Sequence, residues 1–141
     1  MDTNGNTKEL IKDLCSRLPY GVKVACNKNV YTVKGLDLIV TDEGDWEYAV
    51  TAKGIAPIEM DFIKPYLFPL SSMTEEQKKY ISDRWGINED FDFEIDPNWG
   101  EYFVDLCDAV DYINWLNENH FDYRGLIPKG LAIDATGLKI Y

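Results

Sequence analysis

Four short segments of β-branched and aromatic residues follow one another in the first half of the chain, and they constrain the fold more than any other feature. Glycine, asparagine or aspartate separates each segment from the next, which is the chemistry of tight turns. The segments are Val22–Val24, Val30–Val33, Leu36–Val40 and Trp46–Val50, with Ile58–Phe62 as a further candidate. Short strands joined by tight turns pair as antiparallel neighbours. The pattern therefore predicts a small curled antiparallel sheet of four or five strands, for example an SH3-like barrel.

Helical periodicity is found on both sides of this sheet. Apolar spacing predicts a first helix over residues 7–18, and Thr74 with Gln77 forms a capping-box pattern ahead of a second helix over residues 75–85. A third helix is predicted over residues 101–119, with one apolar stripe toward the core. The stripe is made of Phe103, Leu106, Val110 and Ile113.

These elements predict the α+β fold class in a single domain over residues 1–141. An N-terminal helix and the antiparallel sheet occupy residues 7–63, and C-terminal helices that pack on the sheet occupy most of residues 64–141.

The acidic residues of the chain are unevenly distributed. There are 25 Asp and Glu against 14 Lys and Arg, a formal net charge of −11. The segment Trp85–Tyr123 carries 11 acids and no base, so the other 102 residues carry 14 of each and are neutral. The segment also holds 10 of the 19 aromatic residues, whereas acidic disordered tails contain few. An acidic chain is a poor match for a phosphate backbone, so direct nucleic-acid binding is not expected.

The confinement of the excess charge to this segment predicts a non-enzymatic interaction module. Its acidic-aromatic face would meet a basic protein partner, with carboxylates that imitate nucleic-acid phosphates as a sharper version of the same idea. The residues expected to contact the partner are Asp105, Asp108, Asp111, Glu118, His120, Asp122 and Arg124.

A second set of carboxylates leaves a different class of function open. Five acids have the spacing of a calcium-binding loop: Asp90, Asp92, Glu94, Asp96 and Glu101. Ile95 stands where the sharp turn of such a loop requires glycine, and Pro97 follows soon after, so a half-buried strand with an acidic edge is the favoured interpretation. A calcium module, or a hydrolase that uses the same cluster, remains the alternative. No cofactor is expected.

Catalytic signatures are otherwise missing from the sequence. His120 is the single histidine and follows the third predicted helix, where a capping or packing role is favoured over that of a general base. Asn119–Gly125 has the composition of a helix end and turn, with a recognition loop as the alternative. The protein is therefore expected not to be an enzyme.

Three observations predict a cytoplasmic protein that does not interact with membranes. The polar residues 1–7 lack the pattern of a signal peptide, and no apolar stretch approaches the ~20 residues of a membrane span. Cys15, Cys26 and Cys107 form no C-x-x-C pair and lie among apolar neighbours, which favours buried, reduced thiols.

Two stretches, Ile63–Glu76 and Trp115–Ala132, resemble a family of small uncharacterised proteins. That family is encoded by phages, prophages and mobile elements of gut Bacteroides-type bacteria. The stretches cover 32 of the 141 residues. The resemblance implies a phage or mobile-element accessory protein, with a structural or packaging role in the virion as a further alternative, and it assigns no site residue.

Overall fold

The computed structural model describes residues 4–87 and 106–141, and their elements follow the predicted α+β order. The helices are α1 (Asn4–Arg17), α2 (Glu75–Trp85) and α3 (Leu106–Glu118). The strands are β1 (Lys23–Cys26), β2 (Asn29–Thr32), β3 (Gly35–Val40), β4 (Trp46–Thr51), β5 (Ile58–Glu59), β6 (Lys64–Pro69), β7 (Phe121–Asp122) and β8 (Ile133–Asp134). The fold class predicted from the sequence is confirmed.

The strands are divided between two sheets. In the first sheet the order is β2-β1-β6-β7, and β8 also pairs with β6. The β1–β2 and β1–β6 pairs are antiparallel, whereas β7 and β8 both run parallel to β6. The second sheet is the antiparallel set β3-β4-β5. The short strands are therefore divided between two sheets rather than forming one curled sheet, and β6, the stretch with Pro65 and Pro69, pairs in the first sheet.

Local sequence signals set the ends of several elements. Asn27 adopts a left-handed φ of 56° in the two-residue turn between β1 and β2, a conformation that asparagine tolerates better than most residues. Thr74 and Gln77 form the predicted capping box, with the Thr74 hydroxyl accepting from the Gln77 N–H and the Gln77 side chain accepting from the Thr74 N–H. Gly86, at φ 66°, ends α2.

Two hydrophobic clusters lie in the interior. The larger cluster joins α1 to both sheets and consists of Leu10, Leu14, Val22, Val24, Val33, Val50, Met60, Ile63, Leu67, Leu126 and Ala132. The smaller cluster lies between α2 and α3 and consists of Met73, Ile81, Trp85, Ile87, Tyr112, Leu116 and Phe121. The antiparallel β3-β4-β5 sheet contributes to the larger cluster through Val50, and this contact positions the hairpin described below.

Helix α3 faces the interior through a different stripe from the predicted one. Tyr112 and Leu116 are buried, whereas Val110 and Ile113 are exposed, so the prediction that these two face the core is wrong. The apolar residues of this helix cover more than one side, and their spacing alone does not determine which side packs. The predicted start of the helix at Glu101 and the extended segment around Phe91 lie outside the described residues.

The cysteine prediction is also partly wrong. Cys15 is an exposed free thiol on α1, and Cys26 is a partly buried free thiol at the end of β1. Cys15 follows Leu14 directly in the helix, and Leu14 takes the buried position.

Candidate functional site

The β3–β4 hairpin carries an apolar face that extends beyond the hydrophobic core. Residues paired across two antiparallel strands project to the same side of the sheet, as do residues two apart along a strand. Three such pairs lie in register on one side: Leu36 with Val50, Leu38 with Tyr48, and Val40 with Trp46. They form a continuous apolar strip along the hairpin.

Only one end of this strip is covered. Val50 is fully buried and Leu36 packs against the larger cluster. The other four side chains are exposed: Leu38 is 50% exposed, Val40 54%, Trp46 70% and Tyr48 45%. We call these four residues the hairpin face. Exposed apolar patches of this kind on a folded protein mark contact sites for partners more often than scattered single residues do.

A groove of about 250 Å³ runs beside the hairpin face. One wall is formed by consecutive residues of β4, Trp46, Glu47 and Tyr48. The other wall comes from α1 and from the 3₁₀ turn after β5, and it consists of Thr7, Lys8, Ile11, Met60 and Asp61. We call this the edge groove. It combines aromatic and aliphatic surface with carboxylates, a combination suited to a side chain that is both long and cationic.

Carboxylates crowd around Glu47. The pKa of the Glu47 carboxyl is raised above its usual value, first because it loses hydration and then because of the negative charges of Glu59, Asp61, Asp45 and Glu43. In the part of the chain that the structure describes, none of these five carboxylates forms an ion pair. The hairpin therefore carries an uncompensated negative field, although it belongs to the part of the sequence whose charges sum to zero.

A second polar cluster lies inside the molecule and joins α1 to the region after α3. Arg17 forms a bidentate ion pair with Asp13, with Nε 2.8 Å from one carboxylate oxygen and Nη2 3.0 Å from the other. Both side chains are fully buried. Arg17 Nη2 also donates to the Phe121 carbonyl at 2.6 Å. This i, i+4 pair fixes β7 against α1.

Arg124 completes the buried cluster. Its Nε lies 3.5 Å from Asp13 Oδ1, and its guanidinium and that of Arg17 each lie 5.3 Å from the centre of the Tyr123 ring. The Tyr123 hydroxyl donates to Asn117 Oδ1 at 2.9 Å. Because the Asp13 and Arg17 side chains are fully buried, the cluster is suited to holding the fold together.

His120 is buried at the end of α3. Its backbone takes a left-handed φ of 62°, its N–H donates to the Asn117 carbonyl, and its ring stacks on Tyr141 with centroids 3.6 Å apart. Burial, followed by the positive charges of Arg17 and Lys23, lowers the His120 pKa to about 4. The ring is therefore neutral near pH 7. It lies in a helix-end position, as the capping interpretation expects.

The residues predicted to contact a partner are placed in different environments. Asp108, Asp111 and Glu118 are exposed on α3. His120 and Asp122 are buried, and the Asp122 carboxylate accepts hydrogen bonds from two backbone N–H groups at 2.9 Å, so both residues serve the fold rather than the surface. Arg124 is half-buried beside Asp13, and Asp105 lies outside the described residues.

The predicted carboxylate cluster for a metal ion falls wholly outside the described residues. It consists of Asp90, Asp92, Glu94, Asp96 and Glu101. Across residues 4–87 and 106–141 the structure contains no group of three or more histidine, cysteine or carboxylate side chains arranged to hold a metal ion. The calcium hypothesis therefore stays a prediction about that segment.

The aromatic residues of the acidic segment, where the structure describes them, point inward. Trp85, Tyr112 and Phe121 are buried in the smaller cluster, and Trp115 stacks between Phe121 and Tyr80 with ring centroids 5.7 Å apart on each side. The exposed apolar residues of α3 are aliphatic. An acidic surface with exposed aromatic rings is present on the hairpin, which the sequence reasoning missed. One signal was present, since residues 42–61 contain six acids and one lysine. The acidic-aromatic face of the segment stays a prediction, because residues 88–105 lie outside the described residues.

Comparison with known proteins assigns no relative to this chain: no family model, no curated protein and no solved structure matches it. The described helices include none with the length and apolar character needed to cross a membrane.

Proposed function

We propose that this protein is a non-enzymatic interaction module that binds a basic protein partner through its β3–β4 hairpin. The observation that carries the proposal is the hairpin face, an apolar strip that is covered at Leu36 and Val50 and exposed at Leu38, Val40, Trp46 and Tyr48. Covering such a strip removes aromatic and aliphatic area from water, which is the main favourable term in protein association.

The sign of the partner's charge follows from the carboxylates on the hairpin and beside it. Loss of hydration and then the charges of four neighbouring acids raise the pKa of Glu47, so five carboxylates lie close together here. A partner that brings Lys or Arg to this region relieves that repulsion and is attracted from a distance. A partner that brings further acids increases the repulsion. The chain as a whole has a net charge of −11, which acts in the same direction.

The same proposal includes a bacterial setting. The stretches Ile63–Glu76 and Trp115–Ala132 resemble phage-encoded proteins, which supports an accessory protein that acts on a host protein.

A displayed library of random peptides, selected on the immobilised protein, tests the proposal with a defined probe. We expect selected peptides to be enriched in Lys, Arg and apolar residues. Trp46→Ser should weaken binding of a selected peptide about thirtyfold, because exposed tryptophans at the centre of interfaces act as hot spots. Val30→Ser is the matched control, since Val30 is similarly exposed but lies on β2 in the other sheet. We expect it to change the affinity less than twofold.

A second pair of variants compares the two acidic surfaces. Removing two hairpin charges with Glu47→Gln and Asp61→Asn should slow association and reduce its dependence on salt. Removing two charges from α3 with Asp108→Asn and Asp111→Asn should leave both unchanged. Peptides without a basic excess, or a larger effect of the α3 pair than of the hairpin pair, would contradict the proposal.

A further inference from the structure

Strand β5 ends early and leaves part of β4 without a neighbour. β5 pairs with β4 only at Ala49 and Val50. Continuing the same register would place Met60 opposite Tyr48 and Asp61 opposite Glu47. Instead the chain enters a 3₁₀ turn over Met60–Phe62 and leaves the sheet. The edge groove is the space created by this departure, since Met60 and Asp61 form its far wall and Tyr48 and Glu47 its near wall.

The near wall of the groove is therefore an open strand edge. On the side away from β3, the described chain supplies no strand partner for Trp46, Glu47 or Tyr48. The backbone N–H and C=O groups of such an edge form a template for an added strand. An extended segment that enters the groove can hydrogen-bond to this backbone as β5 does further along β4.

The two faces at this edge have opposite chemistry. Trp46 and Tyr48 lie on the apolar side, together with Val40 and Leu38. Glu47 lies on the other side of the sheet. Glu59 lies on that side too, because it pairs with Ala49, which is two residues after Glu47 on β4. Side chains of an added strand also alternate between the two sides. Its residues on one side would contact aromatic rings, and those on the other side would contact carboxylates.

We infer that the edge groove binds an extended segment of a protein partner in which Lys or Arg residues alternate with apolar residues, and that this segment adds to β4 as a strand. The inference rests on the proposed function and specifies how the hairpin recognises its basic partner. The apolar residues of the segment pack on Trp46 and Tyr48, and its cations lie beside Glu47 and Glu59. The groove lining includes Lys8 as well as Glu47 and Asp61, so its formal charge remains negative.

Charge argues against a second copy of this chain as the occupant. The β3 and β4 strands themselves alternate apolar residues with Asp37 and Glu47. A copy paired along the same edge would bring its own carboxylates against Glu47, whose neighbours are already acidic. The outer edge of β3 is also at the margin of the sheet, but that strand supplies a single carboxylate, Asp37, for a cationic segment.

Two synthetic peptides of identical composition test the inference. In one, Lys alternates with Val, and in the other the same residues are grouped into a Lys block and a Val block. Binding is followed by fluorescence anisotropy of the labelled peptide, and amide hydrogen exchange of the full chain is measured with and without it. We expect the alternating peptide to bind at least about tenfold more tightly, because several cross-strand pairs contribute together. We also expect slower exchange of those amides within Trp46–Tyr48 that point to the open edge.

Backbone methylation of the peptide separates strand addition from other forms of contact. Methylating every second amide on the edge that faces β4 should abolish binding, whereas methylating the other amides should be tolerated, because alternate amides of a strand point to opposite edges. Tyr48→Ser should weaken binding of the alternating peptide, and Val30→Ser should leave that binding unchanged.

The outcomes distinguish this inference from the proposed function. If both peptides bind equally and Trp46→Ser weakens both, the hairpin remains the surface for a basic partner and strand addition at β4 is wrong. Protection of the β3 amides instead of Trp46–Tyr48 would overturn the assignment to this edge. If neither peptide binds at millimolar concentration, or binding ignores Trp46, the proposed function fails together with the inference.

Discussion

The β3–β4 hairpin and the α2–α3 region use tryptophan and tyrosine in opposite ways. In the α2–α3 region the Trp85 ring packs beside two other rings, 5.5 Å from Tyr112 and 6.2 Å from Trp115 between ring centroids. In the hairpin, Trp46 and Tyr48 project from strands that extend past the core. The three rings of the first region belong to the strongly acidic part of the sequence, Trp85–Tyr123, and those of the hairpin belong to the neutral part. Charge balance along a sequence therefore does not locate charge or exposed aromatic surface in space.

The difference has a geometric cause. A helix that packs between neighbouring elements can bury its aromatic residues on one side while its acidic residues stay exposed on the other. In a two-stranded ribbon the side chains alternate between the two faces, and the register fixes the face to which each one points. Once Leu36 and Val50 are fixed in the core, the pairs at the far end must point the same way with nothing in the described chain to cover them.

The largest effect expected from this comparison concerns two tryptophans. Trp85→Ala should lower the free energy of unfolding by about 3–5 kcal/mol, because it removes a large buried side chain and leaves a cavity. Trp46→Ala should lower it by less than about 1 kcal/mol, the range of a single cross-strand pair. Urea denaturation followed by circular dichroism measures both. Similar losses for the two variants would show that Trp46 is part of the core.

Buried and exposed carboxylates provide a second contrast of similar size. Asp13→Asn should cost about 3–5 kcal/mol, because it leaves the buried Arg17 without its counter-ion. Asp61→Asn, on the groove wall, should change stability by less than about 0.5 kcal/mol, as expected for an exposed site. The combined change Asp13→Leu with Arg17→Met should recover part of the loss, since no charge of the pair then remains buried. If the double variant is no more stable than Asp13→Asn, the loss of stability comes from the contacts of Arg17 with Phe121 and Tyr123 rather than from an unpaired charge.

How far the sequence predicted this molecule depends on the range of the interactions. Local signals were sufficient for α2, because its capping box and terminal glycine act within a few residues. The strands of the hairpin were also predicted, since alternation and turn residues are local. The side of α3 that packs and the ion pair between Asp13 and Arg17 were not, because they depend on which elements meet.

The same reasoning explains the outcome for the candidate site. The pattern Trp46-x-Tyr48 shows that the two rings share a side of a strand, but it does not show how far the core extends beneath them. The early end of β5 depends on the 3₁₀ turn at Met60–Phe62, a feature for which the sequence gives no distinctive signal. His120 and Asp122 were both among the predicted partner contacts, yet both are buried, with the His120 ring stacked on Tyr141 and the Asp122 carboxylate accepting from the Leu126 and Ile127 N–H groups.

Acid should destabilise the α3 end more than the hairpin, through His120. Its pKa is about 4 in the folded chain against an ordinary value of 6.5, so between these values the unfolded chain binds more protons. Stability is therefore full above pH 6.5 and falls as the pH decreases toward 4, by on the order of 3 kcal/mol for this group. His120→Asn removes the titration and retains a residue that tolerates a left-handed φ. The wild-type minus variant difference in unfolding free energy should decrease toward pH 4, and a constant difference would be evidence against a buried neutral imidazole.

The smallest expected effect tests the hairpin field directly, through Glu47. Its pKa is raised above 4.5 in the folded chain, so in the range just above 4.5 the folded state holds the proton that the unfolded state has lost. Its contribution to stability therefore declines as the pH rises through that range. Glu47→Gln should gain thermal stability relative to wild type with rising pH, by a small amount because the site faces solvent. Glu76→Gln, at the first turn of α2, is the control, since it removes a carboxylate that is not among those acting on Glu47. Equal shifts in the two variants would show that the hairpin carboxylates do not repel one another, and the preference for a basic partner would then rest on the apolar face and the net charge alone.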